Sequence, residues 1–153
     1  MGQTNSSVQE LSNNPISEVQ VLEGHKSRVR CLVKVTYHSI ASGADDGTII
    51  LWDSVNGKIL FELLGHTLPI TCLLPMTLSK DKTLLISGSS DRTIRIWDIL
   101  SGKCLHTLPG HKGSITCIIP LQDTPHTICS AGNDSQILLW DVVTGAEIGN
   151  ITR

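Results

Sequence analysis

Residues 87–98 read SGSSDRTIRIWD, and the same frame returns twice, as SGADDGTIILWD at 42–53 and SAGNDSQILLWD at 130–141. In each copy a serine opens the frame, an aspartate stands four residues on, and a Trp-Asp pair begins six residues after that. The sets are Ser42, Asp46 and Trp52; Ser87, Asp91 and Trp97; Ser130, Asp134 and Trp140. These three tryptophans are all the chain has. A Gly-His pair precedes each frame, at Gly24-His25, Gly65-His66 and Gly110-His111, with separations of 41 and 45 residues.

A unit of about 40–45 residues bounded by Gly-His and Trp-Asp is the signature of a β-propeller blade. Working outward from the frames, each unit divides into four strands, a to d. They fall at 29–35, 39–44, 48–52 and 58–63 in the first unit, and at 70–74, 84–89, 93–97 and 103–108 in the second. In the third they fall at 114–119, 127–131, 136–140 and 146–151. These segments are rich in Ile, Val, Leu and Thr, as β structure prefers. Several are continuously apolar, which suits a sheet covered on both faces. Asn56-Gly57, Ser101-Gly102 and Thr144-Gly145 each end five residues after the tryptophan, and Asn-Gly favours a tight hairpin turn between strands c and d. The second unit carries a longer stretch at 75–82, with a proline and charged residues, which reads as an a–b loop. A lone strand is expected at 18–22, placed to serve as the outer strand of a closing blade.

The fold expected is all-β, with blade units at about 24–64, 65–109 and 110–153 in a propeller segment spanning 17–153. Three blades cannot close a ring, since propellers have about four to eight. The chain therefore reads as part of a ring of about seven blades, with closure by association of copies as the other solution. The third blade would otherwise leave an apolar face bare. Residues 1–16 are mostly Gln, Thr, Asn and Ser, a composition that cannot offset chain entropy by burial; a disordered polar tail is expected there.

Composition narrows the function classes. The chain has 153 residues, 40% of them hydrophobic, and a net charge of −2. No lysine or arginine precedes Lys26, and no basic run follows it. Sequence-independent nucleic-acid binding needs clustered cations, so no nucleic-acid partner is expected. The five cysteines (Cys31, Cys72, Cys104, Cys117 and Cys129) form no C-x-x-C and follow no secretory signal, which reads as reduced thiols in a cytoplasmic protein. Cys31, Cys72 and Cys117 each lie six residues after a Gly-His histidine and are expected to act as small buried hydrophobes.

Ser, His and Asp together invite comparison with a nucleophilic triad. A triad occurs once and needs an exposed nucleophile and an oxyanion hole. A set written three times, each tied to a tryptophan, is structural. There is no P-loop, no G-x-G-x-x-G and no H-E-x-x-H. We expect no enzymatic activity, no catalytic residues, no metal and no cofactor. His38, His106 and His126 fall outside the pattern and read as surface or edge residues.

The Gly-His and Trp-Asp marks with their Ser and Asp resemble the WD-repeat family over about residues 18–153. The resemblance implies a buried hydrogen-bond chain in each blade: His25, Ser42, Asp46, Trp52; His66, Ser87, Asp91, Trp97; His111, Ser130, Asp134, Trp140. The chemistry suits those residues, because a buried indole N–H needs an acceptor and a serine hydroxyl can accept from it and donate onward. The resemblance also implies a non-enzymatic protein-interaction scaffold. Its natural contact points are the loops at one end of the blades: Lys26 and Arg28, Thr67 and Leu68, and Lys112, with Asp45, Ser90 and Asn133 in the b–c turns. Asn14-Pro15, Asp45-Asp46-Gly47, Gly132-Asn133-Asp134 and the stretch at 75–82 are similar to one branch of the family. That branch supplies the propeller subunit of a complex with two DENN-domain proteins, which acts at lysosomes and in autophagy.

Two alternatives differ in class. Some WD-repeat proteins are substrate receptors of cullin-4 ubiquitin ligases and often carry Arg or Lys two residues after the Trp-Asp pair; here those positions are Val55, Leu100 and Val143. Met1-Gly2-Gln3-Thr4-Asn5-Ser6 fits N-myristoylation at Gly2. One myristoyl chain gives only marginal, reversible membrane binding, and the first 25 residues hold Glu10, Glu18 and Glu23 but no cation. Membrane contact, including a peripheral place on the lysosome, would then be indirect or through that acylation.

Overall fold

A computed structural model of the chain describes residues 20–151, and every regular element among them is a strand. The first sheet contains β1 (Val29–Thr36), β2 (Ser39–Ala44), β3 (Ile49–Asp53) and β4 (Ile59–Leu63). The second contains β5 (Ile70–Ser79), β6 (Lys82–Ser89), β7 (Thr93–Asp98) and β8 (Lys103–Pro109). The third contains β9 (Ile115–Pro120), β10 (Thr127–Gly132), β11 (Ile137–Asp141) and β12 (Glu147–Ile151). Each sheet is an antiparallel meander whose strands lie side by side in chain order. The three sheets are three four-stranded blades.

The blades stack in sequence order, with β1 against β5 and β5 against β9. Two apolar layers result. Ile49, Leu51 and Leu63 of blade 1 meet Ile70, Leu85 and Trp97 of blade 2. The other face of blade 2, with Ile86, Ile94 and Ile96, meets Ile115, Leu138 and Trp140 of blade 3. Trp97 and Trp140 thus look back toward the preceding blade. Glycines on the second strands let the inner strands close in: a Cβ on Gly43 would lie 2.6 Å from Ile70 Cγ2, and one on Gly88 would lie 2.6 Å from Ile115 Cγ2.

Among the described residues no blade packs on the far face of the third. Ile49 and Leu63 are 0% and 1% exposed, whereas their repeat equivalents Ile137 and Ile151 are 39% and 55% exposed. With Cys117, Ile119, Cys129 and Ala131 they line a shallow apolar depression. Full burial of one such side chain is worth about 1.5–3 kcal/mol, which this face forgoes. The cysteine expectation fails here for the same reason. Cys31 and Cys72 are half-buried, but Cys117 is exposed because no blade covers it. Burial pushes the Cys72 thiol up to about 11.

Two further expectations are corrected. Residues 75–82 are not a loop: β5 runs to Ser79 and β6 starts at Lys82, leaving only Lys80-Asp81 at a hairpin tip. Pro75 is tolerated because β5 is an edge strand and the missing N–H is not needed there. Thr77 and Thr83 pair across the hairpin through their hydroxyls at 3.1 Å. Second, the described part of the expected strand at 18–22 shows no strand pairing. Every third strand among the described residues already has its fourth, so no ladder is open to it. Gln20 nevertheless sits over Gly57 as Phe61 sits over Gly102 and His106 over Gly145, which is the place of a preceding blade's outer strand. The expected tail at 1–16 and Gly2 lie outside the described residues.

Candidate functional site

The hydrogen-bond set assembles fully in blades 2 and 3. Trp97 Nε1 donates to Ser87 Oγ at 2.9 Å, and Ser87 Oγ lies 2.8 Å from His66 Nε2. His66 Nδ1 lies 2.7 Å from Asp91 Oδ2. Burial holds His66 below its ordinary value against the pull of Asp91. The ring is therefore neutral, accepting from the serine and donating to the aspartate. In blade 3, Trp140 reaches Ser130 at 2.8 Å, Ser130 reaches His111 Nε2 at 2.8 Å, and His111 Nδ1 reaches Asp134 Oδ2 at 2.9 Å.

Blade 1 stops one link short. Trp52 donates to Ser42 at 2.7 Å and His25 Nε2 lies 2.6 Å from the same oxygen. His25 Nδ1, though buried, has no partner. Asp46 accepts from the Thr48 amide at 3.0 Å, as Asp91 and Asp134 accept from the Thr93 and Gln136 amides, and its own amide donates to Ser27 Oγ at 3.2 Å. In the other blades the aspartate also receives the amide after the histidine, Thr67 in blade 2 and Lys112 in blade 3, and that contact is not made in blade 1. The repeat spacing alone could not show this, because the residue types are unchanged.

Burial alone would raise the Asp134 carboxyl. The bonds from His111 and from the Lys112 and Gln136 amides outweigh it and bring the group down to about 2. Burial opposes Asp91 in the same way, and the Thr93 and His66 bonds keep it below the usual carboxylate range. Nothing in these sets offers an exposed nucleophile: Ser87 and Ser130 are buried. Among the described residues no cluster of His, Cys, Asp and Glu could hold a metal ion.

The loop residues singled out above lie together at one end of the blades, where the turns after the second strands meet the loops that open each blade. Lys26, Arg28, Thr67, Leu68, Lys112 and Asn133 are exposed, and Asp45 and Ser90 half-buried. Neighbouring loops are tied by backbone: Asp45 to Arg28 at 2.9 Å, Ser90 to Pro69 at 2.9 Å and Asn133 to Ser114 at 2.9 Å. Side chains add Ser114 to Ser90 at 3.0 Å across blades 2 and 3. The rim is thus a rigid frame bearing free side chains. The opposite end carries Val55, Leu100 and Val143, all exposed. His106 lies there too, its Nε2 3.0 Å from the Val143 carbonyl.

Residues 3–125 match the family described as the WDR41 β-propeller. The chain belongs to the WDR41 β-propeller family. WD repeat-containing protein 41 of Mus musculus is 41% identical over 66 residues, 43% of this chain and 14% of that protein. Its Homo sapiens counterpart is 33% identical over 92 residues, 51% of this chain and 20% of that protein. The aligned part therefore spans a fifth or less of these WDR41 relatives. Among solved structures, U3-55K aligns with a TM-score of 0.78 and 26% identity, over 88% of this chain and 42% of that one. The computationally designed Ika4 protein aligns at 0.75 and 31%, over 88% of this chain and 80% of that one. The WDR41 assignment and the three sheets agree on an all-β WD-repeat propeller, a fold whose typical role is to bind other proteins.

Proposed function

We propose that the chain is a non-enzymatic interaction scaffold, acting as a propeller subunit of a complex with DENN-domain proteins at the cytoplasmic face of lysosomes, in autophagy regulation. The observation that carries the scaffold reading is the loop rim. Its backbone is fixed by cross-loop hydrogen bonds, while Lys26, Thr67, Leu68, Lys112 and Asn133 are exposed to a partner and Arg28, though bonded to Asp45, is exposed beside them. The DENN-domain partners are the finer part of the proposal, and membership of the WDR41 family is what supports them. Co-expression of the 153-residue chain with candidate DENN-domain proteins, followed by size-exclusion chromatography, tests it. Co-elution that is lost when Thr67, Leu68 and Lys112 are replaced together by aspartate supports it. Elution apart, with the chain folded by circular dichroism, overturns it.

Acylation at Gly2 is a second reading, favoured by the Met1-to-Ser6 pattern. It would give the scaffold a weak membrane hold that a partner must reinforce. Membrane fractionation of the Gly2→Ala protein decides it: unchanged partitioning removes the reading. A ubiquitin-ligase receptor role has no comparable support, because Val55, Leu100 and Val143 occupy the docking positions.

A further inference from the structure

At one point the repeat is broken in a way that packing does not require. The inner strand of blade 2 opens Pro69-Ile70-Thr71-Cys72, that of blade 3 Ser114-Ile115-Thr116-Cys117, and that of blade 1 Arg28-Val29-Arg30-Cys31. In blades 2 and 3 the threonine is satisfied within its own sheet. Thr71 donates to the Gly88 carbonyl at 3.0 Å and Thr116 to the Ala131 carbonyl at 3.1 Å. Blade 1 replaces that threonine by Arg30 and places Arg28 two residues earlier. A third departure accompanies them, since Asp45 stands where the other blades carry Ser90 and Asn133.

The three departures meet at one spot. Arg28 Nε donates to Asp45 Oδ2 at 3.1 Å, and Arg30 Nε donates to Asp45 Oδ1. The Arg30 bond, then that of Arg28, holds the Asp45 carboxyl below its ordinary value. Among the described residues both guanidiniums bond through Nε alone, and their Nη groups donate to none of them. The side chains of Arg28 and Arg30 are 70% and 46% exposed. Next to Arg30 runs a groove of about 290 Å³ lined by Pro69, Ile70, Thr71 and Ser90. Ser90 Oγ accepts a hydrogen bond from Ser114 and so keeps its own hydrogen to donate.

We propose that this rim site binds the carboxylate of a glutamate or aspartate side chain in an extended acidic peptide of a partner protein. Two cations sharing one anion leave a single positive charge. One incoming carboxylate neutralises it, while a dianionic phosphate would overshoot beside Asp45. The guanidinium fork supplies the bidentate geometry that a carboxylate accepts, and Asp45 fixes the fork before the ligand arrives. The groove takes the small apolar residues flanking the acid. The proposal rests on the scaffold reading and names the chemistry of one contact on it.

The test is NMR titration of the full ¹⁵N-labelled chain with the capped peptide Ala-Val-Glu-Val-Ala. The Nε–Hε signals of Arg28 and Arg30 and the amides of Thr71 and Ser90 should shift and saturate. Arg30→Gln should weaken binding by about ten-fold, and added salt should weaken it too. Lys103→Gln, at the opposite end of the blades, should leave it unchanged. Both variants alter exposed side chains, and the same spectrum verifies their fold. The proposal is overturned if Ala-Val-Gln-Val-Ala binds equally well, or if Arg30→Gln has no effect. Tighter binding of the phosphoserine analogue would overturn it in favour of a phosphate reader, and equal shifts from phosphatidylserine vesicles in favour of a lipid surface. Peptide binding without DENN-protein co-elution would sink only the partner assignment; co-elution without peptide binding would sink only this site.

Discussion

At Asp91, at Asp134 and at Asp46, one residue type in one repeat position does different work. Asp91 receives His66, the Thr67 amide and Thr93, so Asp91→Ala strands buried donors and should cost about 1–3 kcal/mol. Asp46 touches no ring, and Asp46→Ala should cost clearly less; equal melting temperatures for the two variants would contradict the broken link in blade 1. The same carboxylates set the acid limit. Because the folded values of Asp91 and Asp134 lie below the ordinary carboxylate value, their stabilisation is present above about pH 4. It drains away as pH falls toward the value of about 2 for Asp134. Asp134→Asn should flatten the stability profile between those limits, as followed by urea melts at stepped pH.

The turns show how elements of one design absorb different residues. The residue after the network aspartate adopts a left-handed backbone in every blade: Gly47 at φ 82°, Arg92 at φ 71° and Ser135 at φ 62°. Only glycine takes that conformation without strain, against an unfolded-state entropy loss. Arg92→Gly or Ser135→Gly should thus change stability by no more than about 1 kcal/mol, with relief of strain on the favourable side. Gly47→Ala meets both penalties, since its Cβ would lie 2.5 Å from the His66 carbonyl oxygen of the next blade. It should lower the melting temperature most of the three. Gly43→Ala should do likewise through overpacking on Ile70, at about 1–3 kcal/mol. Strand identity and order were legible in the sequence because the twelve segments carry β-formers between repeated turn signals. The stretch at 75–82 misled because proline and charge usually mark loops, while here an edge strand tolerates the one and a hairpin tip holds the other. The loss of the His25–Asp46 contact was not legible, since His25 and Asp46 are the same residue types that meet in the other two blades.

At the scale of the molecule, each blade among the described residues packs only on its sequence neighbours, as in other repeat arrays. Among the described residues blade 2 alone has both faces covered by another blade, so amide exchange should be slowest in β6 and β7 and fastest in β12. Uniform protection across the three sheets would contradict this layering. The bare face at Ile137 and Ile151 should bind 1-anilinonaphthalene-8-sulfonate, and paired Ile→Lys changes at those sites should abolish the fluorescence. The meander order also decides how the chain answers force. Pulled from its C-terminal end, β12 sits at a sheet edge and parts from β11 one rung at a time, the load never falling on the whole ladder at once. The chain is therefore a zipper under tension rather than a clasp, and in a single-molecule trap it should pay out strand by strand at low force.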